Sequence, residues 1–275
     1  PSDQTTTHRH AIMMNPKPTH GILFALLLLL AAQPLAAAVS PPEVNAEGHL
    51  LIDLLSGQVL AENNADARLE PASLTKIMTA HLVFHEIEAG RVRLEDLVTI
   101  SEKAWKMGGS RMFIEVGKQV SVEDLLKGLI IQSGNDAAVA LAEHIAGSED
   151  AFAELMNKES ARLGATNTHF VNASGMPHEN HYTTARDIAK ISQATIVEYP
   201  EFYKWYAIKE YTFNDITQKN RNSLLWQDKS VDGVKTGHTE AAGYCLVASA
   251  VRDGTRLLSV IMGTESIAAR TKESS

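Results

Sequence analysis

The chain has 275 residues, of which 44% are hydrophobic and 21% are charged, with only 9 prolines and 17 glycines. This composition can bury one large core or two lobes, and it excludes a disordered chain. The formal net charge is −8, without a basic run or an aromatic–arginine stripe, so nucleic acid is not an expected partner.

The N-terminal segment is typical of a secretory signal. Residues 21–32 form an apolar run that is too short to cross a membrane comfortably. The small residues that follow fit cleavage after Ala38. We therefore expect residues 1–38 to comprise upstream residues and a signal peptide, which exports the remaining domain, residues 39–275. The alternative is an uncleaved anchor.

Strands are predicted at both ends of the exported part and helices in the middle. Asp253 and Gly254 are a strong hairpin signal between the last two strands. The helices are bounded by N-cap residues such as Ser121 and by glycine stops such as Gly147. The predicted elements are strands 49–53 and 58–61, helices 73–88, 122–132, 135–146, 149–163 and 184–197 (the last after Thr183), a strand–turn–strand over 231–239, and strands 243–252 and 255–262.

This order of elements predicts an α+β fold with two lobes. An antiparallel sheet is built from both ends of the chain, and a helical lobe is inserted between them. The helix that begins near Ser73 then lies at the junction, with Ser133 on a loop of the helical lobe and Lys235 on the sheet. Clefts between lobes are the usual position of substrate sites.

Three motifs lie at the boundaries of these elements. An S-x-x-K motif joins Ser73 to Lys76, an S-x-N motif joins Ser133 to Asn135, and a K-T-G motif begins at Lys235. Residues i and i+3 share one helical face, so the Ser73 hydroxyl is within hydrogen-bond reach of the Lys76 amine. A serine nucleophile needs an adjacent base, and a lysine can be that base only if burial or a nearby cation lowers its pKa. Lys235 is the expected cation.

Each motif alone is common, but the three in this order match the set found in penicillin-binding proteins and class A β-lactamases. From about residue 42 onward, the chain resembles the catalytic domain of the low-molecular-mass penicillin-binding proteins that act as D-alanyl-D-alanine carboxypeptidases. The resemblance extends beyond the motifs to residues 71–80, 172–177, 180–187, 220–222 and 243–250.

The resemblance implies a serine enzyme that removes the terminal D-Ala from peptidoglycan stem peptides ending in D-Ala-D-Ala, through an acyl-enzyme. It implies covalent inhibition by β-lactam antibiotics and a periplasmic location or one at the outer face of the cytoplasmic membrane. We expect no cofactor and no metal. Relatives usually continue into a β-rich domain and an amphipathic tail, so we expect a helix that opens at Ser266 to be cut short, and membrane association only through such a missing tail.

The resemblance also implies a role for each candidate residue. Ser73 is the nucleophile, Lys76 is its general base, and the Ser133 hydroxyl relays protons towards the leaving amine. Backbone N–H groups of Ser73 and His238 form the oxyanion hole. The implied substrate-binding residues are Asn135, Lys235, Thr236, Gly237 and His238, together with Arg221 and Arg270 near the pocket for the terminal carboxylate. The alternative for both arginines is an ordinary surface position.

Other functions stay open. A D,D-endopeptidase that cuts cross-links would carry the same motifs, and so would a non-catalytic cell-wall-binding protein on this fold, although intact motifs favour an enzyme. A class A β-lactamase is disfavoured because no deacylating Glu in an E-x-x-L-N string occurs between Ser133 and Lys235. The nearest string, at Glu154, has the wrong spacing.

Several further side chains have two interpretations. His81 and His85 are spaced for a metal on one helix, but no third ligand is evident, so we expect no metal site. His181 belongs either to the rim of the cleft or to the structural core. The segment 105–113 either overhangs the site or simply packs as a loop. Cys245, the one cysteine, is expected to be a small buried hydrophobic side chain.

Overall fold

The structure is a computed structural model that describes residues 43–275 and Ser2. The expected signal segment therefore lies outside the described residues, apart from Ser2, and stays a prediction. Within residues 43–275, no helix combines the length and the apolar character needed to span a membrane.

A five-stranded antiparallel sheet forms one lobe. The strands of the chain are β1 (Gly48–Asp53), β2 (Val59–Asn63), β3 (Leu97–Thr99), β4 (Gln119–Ser121), β5 (Glu210–Phe213), β6 (Ile216–Lys219), β7 (Val231–Thr239), β8 (Gly243–Arg252) and β9 (Thr255–Thr264). The sheet has the order β2-β1-β9-β8-β7, so the first strands pair with the last, as predicted. Asp253 and Gly254 have the positive φ angles (50° and 79°) that a two-residue hairpin turn requires.

Helices from the middle of the chain form the other lobe. They are α1 (Thr75–Glu88), α2 (Glu102–Trp105), α3 (Val122–Lys127), α4 (Asn135–Ala146), α5 (Glu149–Arg162), α6 (Ala185–Glu198) and α7 (Pro200–Tyr203), followed by α8 (Leu224–Gln227) and α9 (Ile267–Glu273) beside the sheet. Ser121 and Ser266 accept the N-cap hydrogen bonds that the sequence predicts for α3 and α9. Every residue of α1 from Thr75 to Phe84 is buried, because this helix lies between the lobes.

Three local predictions are wrong. The turn expected within residues 231–239 is absent from that segment, which is one strand with a bulge between Val231 and Gly233. A Cβ on Gly233 would lie 2.6 Å from the Tyr203 hydroxyl oxygen, so this glycine allows close packing and does not make a turn.

The second wrong prediction is the N-cap of α6. Thr184, and not Thr183, caps this helix by accepting from the backbone N–H of Asp187 (3.0 Å).

The third difference concerns the predicted helix 122–132. After α3 it changes into a π-helical turn, Gly128–Gln132, and it ends at Ser133, whose φ is +64°. A π-turn inserts one extra residue per turn and is often found at functional sites. A two-stranded sheet, β3–β4, and a small hairpin, β5–β6, were not predicted, since their strands have only three or four residues.

Candidate active site

Ser73 and Lys76 are in contact at the start of α1. Ser73 lies in the 3₁₀ turn Ala72–Leu74 and is partly exposed. The Lys76 Nζ atom lies 2.8 Å from Ser73 Oγ, as the i, i+3 spacing predicts. It also donates to Asn135 Oδ1 (2.7 Å) and to the Ser174 carbonyl oxygen (2.6 Å). The lysine is only 1% exposed, so the serine and its candidate base share a site that is closed to bulk water on the lysine side.

The environment of Lys76 favours its neutral form. Burial, the largest cause, and the Arg221 guanidinium lower the pKa of Lys76 from 10.5 to about 7, against an opposing effect of the Asp136 carboxylate. Arg221 is therefore a cation that acts on Lys76, a role that the sequence did not indicate, and the expectation that Lys235 also acts on Lys76 stays a prediction. Lys235 is buried as well, and burial together with Lys76 holds the pKa of Lys235 well below its usual range.

The S-x-N and K-T-G motifs meet through a hydrogen bond. Lys235 Nζ donates to Ser133 Oγ (2.9 Å) and to its neighbour's carbonyl oxygen, that of Thr236 (3.1 Å). Ser133 and Lys235 are 2% and 3% exposed. The Ser133 hydroxyl and an amine from the sheet thus form a second buried pair beside the first.

The K-T-G strand runs alongside the turn that carries Ser73. A Cβ on Gly237 would lie 3.1 Å from the Pro71 carbonyl oxygen and 3.3 Å from the backbone N of Ser73. Glycine at this position therefore allows the two backbones to approach. Among the described strands, β7 pairs only with β8, so its second edge is free of strand partners.

The remaining candidates surround this strand. Thr236 is buried, whereas His238 is exposed and stacks on Tyr244 with ring centroids 4.0 Å apart. Arg270 is 5% exposed, and its Nη1 donates to the Gly237 carbonyl oxygen (3.1 Å), so the surface alternative is wrong for Arg270. Arg221 is exposed and lines a groove of about 310 Å³.

Comparison with known proteins identifies the family. A family model described as D-alanyl-D-alanine carboxypeptidase, Peptidase S11, matches residues 35–266. The chain belongs to this peptidase family. The resemblance recognised in the sequence and the α+β penicillin-binding fold are thereby confirmed.

The family includes well-matched relatives. D-alanyl-D-alanine carboxypeptidase DacC of Escherichia coli is 48% identical over 259 residues, which cover 91% of this chain and 65% of the relative. DacA of the same organism is 49% identical over 240 residues, or 85% of this chain and 60% of the relative. The chain thus spans 60–65% of the length of these carboxypeptidases.

Solved structures agree with this membership. Penicillin-binding protein 5 from Haemophilus influenzae superposes with a TM-score of 0.84 at 47% identity, covering 86% of this chain and 70% of that one. Penicillin-binding protein D2 from Listeria monocytogenes, in its ampicillin-bound form, gives a TM-score of 0.78 at 28% identity and covers 86% and 96% of the two chains.

Some residues of this carboxypeptidase-family site were not predicted. The Ser174 carbonyl binds Lys76 through the backbone, which no side-chain pattern reveals. Asp136 directly follows the S-x-N motif, and its position in the first turn of α4 was the one available signal. Gly108 belongs to the segment 105–113, and its carbonyl oxygen accepts from Asn135 Nδ2 (2.8 Å), so this segment packs against the site.

The histidines have structural environments. His181 is buried, accepts from the backbone N–H of Val171 at Nδ1 (3.0 Å) and donates from Nε2 to Thr75 Oγ1 (2.8 Å). Burial lowers the pKa of His181 to about 4, so the ring is neutral and fixes the S-x-x-K helix. Cys245 is buried, as predicted.

His81 belongs to a polar cluster that does not include His85. Its Nε2 lies 3.0 Å from Glu159 and 3.9 Å from Glu198, while His85 bonds a tyrosine hydroxyl. The atoms of His81, Glu159 and Glu198 that could bind a metal ion lie within 4.8 Å of one another. Arg162 contacts both carboxylates, at 2.6 and 2.8 Å, and so supplies the positive charge that a metal ion would bring.

Gly175 packs so closely against the turn Ala72–Leu74 that no other residue type would fit at this position. Its φ is +83°, and a Cβ would lie 1.8 Å from the Ala72 carbonyl oxygen. We expect Gly175→Ala to destabilise the protein by about 1–3 kcal/mol more than backbone strain alone, because the clash forces the segment away from α1. The matched control is Gly164→Ala, at φ +72° with open space around it, where strain alone costs about 1–2 kcal/mol.

Urea unfolding of the two variants measures the difference. Equal losses of unfolding free energy in Gly175→Ala and Gly164→Ala would show that the segment around Gly175 yields without strain.

Proposed function

We propose that this chain is a serine D-alanyl-D-alanine carboxypeptidase that removes the terminal D-Ala of peptidoglycan pentapeptides. The observation that carries the proposal is the 2.8 Å contact between Ser73 Oγ and the Nζ atom of a buried lysine, Lys76, whose pKa is lowered to about 7. Membership of the Peptidase S11 family supports it, as do relatives named as D-alanyl-D-alanine carboxypeptidases.

Acylation follows from the two buried pairs. Ser73 Oγ bonds to the carbonyl carbon of the penultimate D-Ala, while its proton passes to the neutral amine of Lys76. The oxyanion would accept hydrogen bonds from the backbone N–H groups of Ser73 and His238, and the approach of Gly237 to the Ser73 backbone supports this. The C–N bond then breaks, and the proton that Lys76 accepted passes through the Ser133 hydroxyl, which Lys235 holds, to the leaving amine. Water finally hydrolyses the ester, which releases the shortened peptide and restores the Ser73 hydroxyl.

Positive charge suits the site to a peptide that ends in a carboxylate. Arg221 acts electrostatically on Lys76, Lys235 and Arg270, so two guanidinium groups and two buried amines lie in one region. Arg221 is exposed at a groove and is free to meet an incoming carboxylate in the planar geometry that guanidinium favours. The substrate backbone would lie antiparallel along the free edge of β7, with Thr236, Gly237 and His238 beside it and Asn135 opposite.

The same chemistry accounts for β-lactams as covalent inhibitors. A strained β-lactam carbonyl presents an acyl group and a nearby carboxylate to the same nucleophile and cations. Solved neighbours include ampicillin-bound and cefotaxime-bound forms of penicillin-binding protein D2, which supports this part of the proposal.

We further propose that residues 1–38 export a catalytic domain, residues 39–275, to the periplasm or the outer face of the cytoplasmic membrane.

The proposal is tested with two substrates in parallel. The purified protein is incubated with a pentapeptide ending in D-Ala-D-Ala and, separately, with a cross-linked peptide dimer, and free D-Ala and cleaved dimer are quantified. Free D-Ala from the pentapeptide alone is the expected result. Cleavage of the dimer instead would indicate an endopeptidase, and binding of both without turnover would indicate a non-catalytic cell-wall-binding protein.

A further inference from the structure

Asp136 is a buried carboxylate that the proposed reaction does not use. It is 1% exposed. Its Oδ1 accepts from the backbone N–H groups of Met112 (3.0 Å) and Ala137 (2.9 Å), and its Oδ2 accepts from those of Phe113 (2.9 Å) and Ile114 (3.3 Å). All four donors are backbone amides, and no cation within residues 43–275 contacts this carboxylate. Its negative charge therefore acts on its surroundings without a paired counter-ion.

The residues just before the backbone that Asp136 holds enclose Asn135 on two sides. Asn135 Nδ2 donates to the Gly108 carbonyl oxygen (2.8 Å), and the Asn135 backbone N–H donates to the Ser110 carbonyl oxygen (2.7 Å). A Cβ on Gly109 would lie 2.9 Å from Asn135 Nδ2. With its NH₂ group fixed in this way, the Asn135 amide must present its oxygen, and not its nitrogen, to Lys76.

That orientation matters for the candidate base. The Asn135 oxygen accepts from Lys76 Nζ at 2.7 Å, so it helps to aim the amine at Ser73. A reversed amide would place two N–H donors against an amine that is itself a donor, and the amine would move. A misplacement of about 1 Å in a reacting group can reduce a rate by about 100-fold.

The charges around Lys76 come from several elements. Arg221 follows β6, Lys235 lies on β7, Asp136 lies on α4, and neutral His181 precedes α6. Of the groups that shift the pKa of Lys76, Asp136 is the one that raises it. Its charge therefore limits how far burial and Arg221 lower that pKa.

We propose that Asp136 is a positioning residue for acylation, which fixes the backbone of residues 112–114 and thereby the adjoining residues 108–110 that hold Asn135, and which offsets part of the Arg221 charge that acts on Lys76. The proposal rests on the proposed function, because it assumes that Lys76 serves Ser73 as a base. Asp136 acts through Asn135 and the electric field, without touching the substrate.

The test compares acylation by penicillin as a function of pH in the wild-type protein and in Asp136→Asn. An asparagine keeps the volume of the side chain but removes its charge. Its NH₂ group cannot accept the hydrogen bonds that the backbone N–H groups donate to the carboxylate. We expect acylation at pH 8 to be about 10- to 100-fold slower, and the rise of the rate with pH to begin at a lower pH because the pKa of Lys76 falls. A purely structural loss would leave the position of this rise unchanged.

Asp187→Asn is the matched control. Asp187 is 2% exposed and accepts from the backbone N–H of Asn167 (2.7 Å), the Thr168 hydroxyl (3.0 Å) and the Lys190 amine (3.0 Å), and it is not among the groups that shift the pKa of Lys76. We expect its pH profile to match that of the wild type. An Asp136→Asn profile that rises at the same pH as that of Asp187→Asn would overturn the proposal.

A second variant separates position from charge. Gly109→Ala pushes a methyl group against the Asn135 amide from an exposed part of the loop and leaves Asp136 intact. It should slow acylation without moving the pH profile; a rate within two-fold of wild type would overturn the positioning role, even if Asp136→Asn did not fold. Absence of any acylation in the wild-type protein would instead contradict the proposed function.

Discussion

Replacing Ser73 by alanine is expected to abolish covalent labelling by penicillin and the release of D-Ala. The hydroxyl is the one group that forms the acyl bond in the proposed reaction, so its loss should lower turnover by about 10⁴-fold or more. Intact-protein mass spectrometry should find one penicillin adduct on the wild-type protein and none on Ser73→Ala. Peptide mapping should place the adduct on Ser73.

The adduct should also be long-lived. No carboxylate within residues 43–275 contacts Ser73 or Lys76, and Glu154, the nearest match to a deacylating motif, is exposed on α5. Ser160→Ala, which removes another buried serine hydroxyl outside the site, is the control and should label normally. An adduct on any other residue, or labelling of Ser73→Ala, would refute the assignment of the nucleophile.

Replacing Lys76 by arginine should have the next largest effect. The guanidinium keeps a positive charge but does not release its proton near neutral pH, so it cannot accept the proton of Ser73. We expect acylation by penicillin to slow by about 10²- to 10⁴-fold, the range of general acid–base catalysis. Lys127→Arg, the same change at a residue that pairs with Glu123 away from the site, should acylate at the wild-type rate.

The pH dependence of the wild-type protein provides an independent check. Lys76 is active as the neutral amine, so the rate should be low below its pKa and rise with pH through about 7. A free lysine would give the same rise near pH 10.4. A midpoint close to 10.4, or substantial activity in Lys76→Arg, would point to a different base.

Much of this site follows from sequence because its spacing is local or its motifs are distinctive. The Ser73–Lys76 contact depends only on one helical turn, and the Lys235–Ser133 contact agrees with the order of the motifs. The N-cap of α6 was misplaced by one residue because Thr183 and Thr184 have equal capping ability. Only tertiary pairing of the Thr183 backbone with Leu69 decides between them.

The residues that sequence analysis missed act through long-range contacts. The Ser174 carbonyl reaches Lys76 from a distant segment, and Asp136 binds the backbone of Met112, which is 24 residues away in the sequence. Neither residue belongs to a periodic pattern. Arg270 was named through the family resemblance, but its hydrogen bond to Gly237 depends on how α9 packs on the sheet, which the sequence does not show. The π-turn before Ser133 likewise has no residue signature that distinguishes it from a continuing helix.

The buried lysine that makes Ser73 reactive also weakens the fold. In the unfolded chain Lys76 would have a pKa near 10.4, so between about pH 7 and pH 10.4 the unfolded state binds more protons than the folded state. Its contribution to unfolding free energy is therefore most unfavourable below pH 7, where it is of the order of 5 kcal/mol, and it fades as the pH approaches 10.4. Near neutral pH, where many proteins are most stable, burial of the proposed base Lys76 therefore lowers the unfolding free energy of this protein.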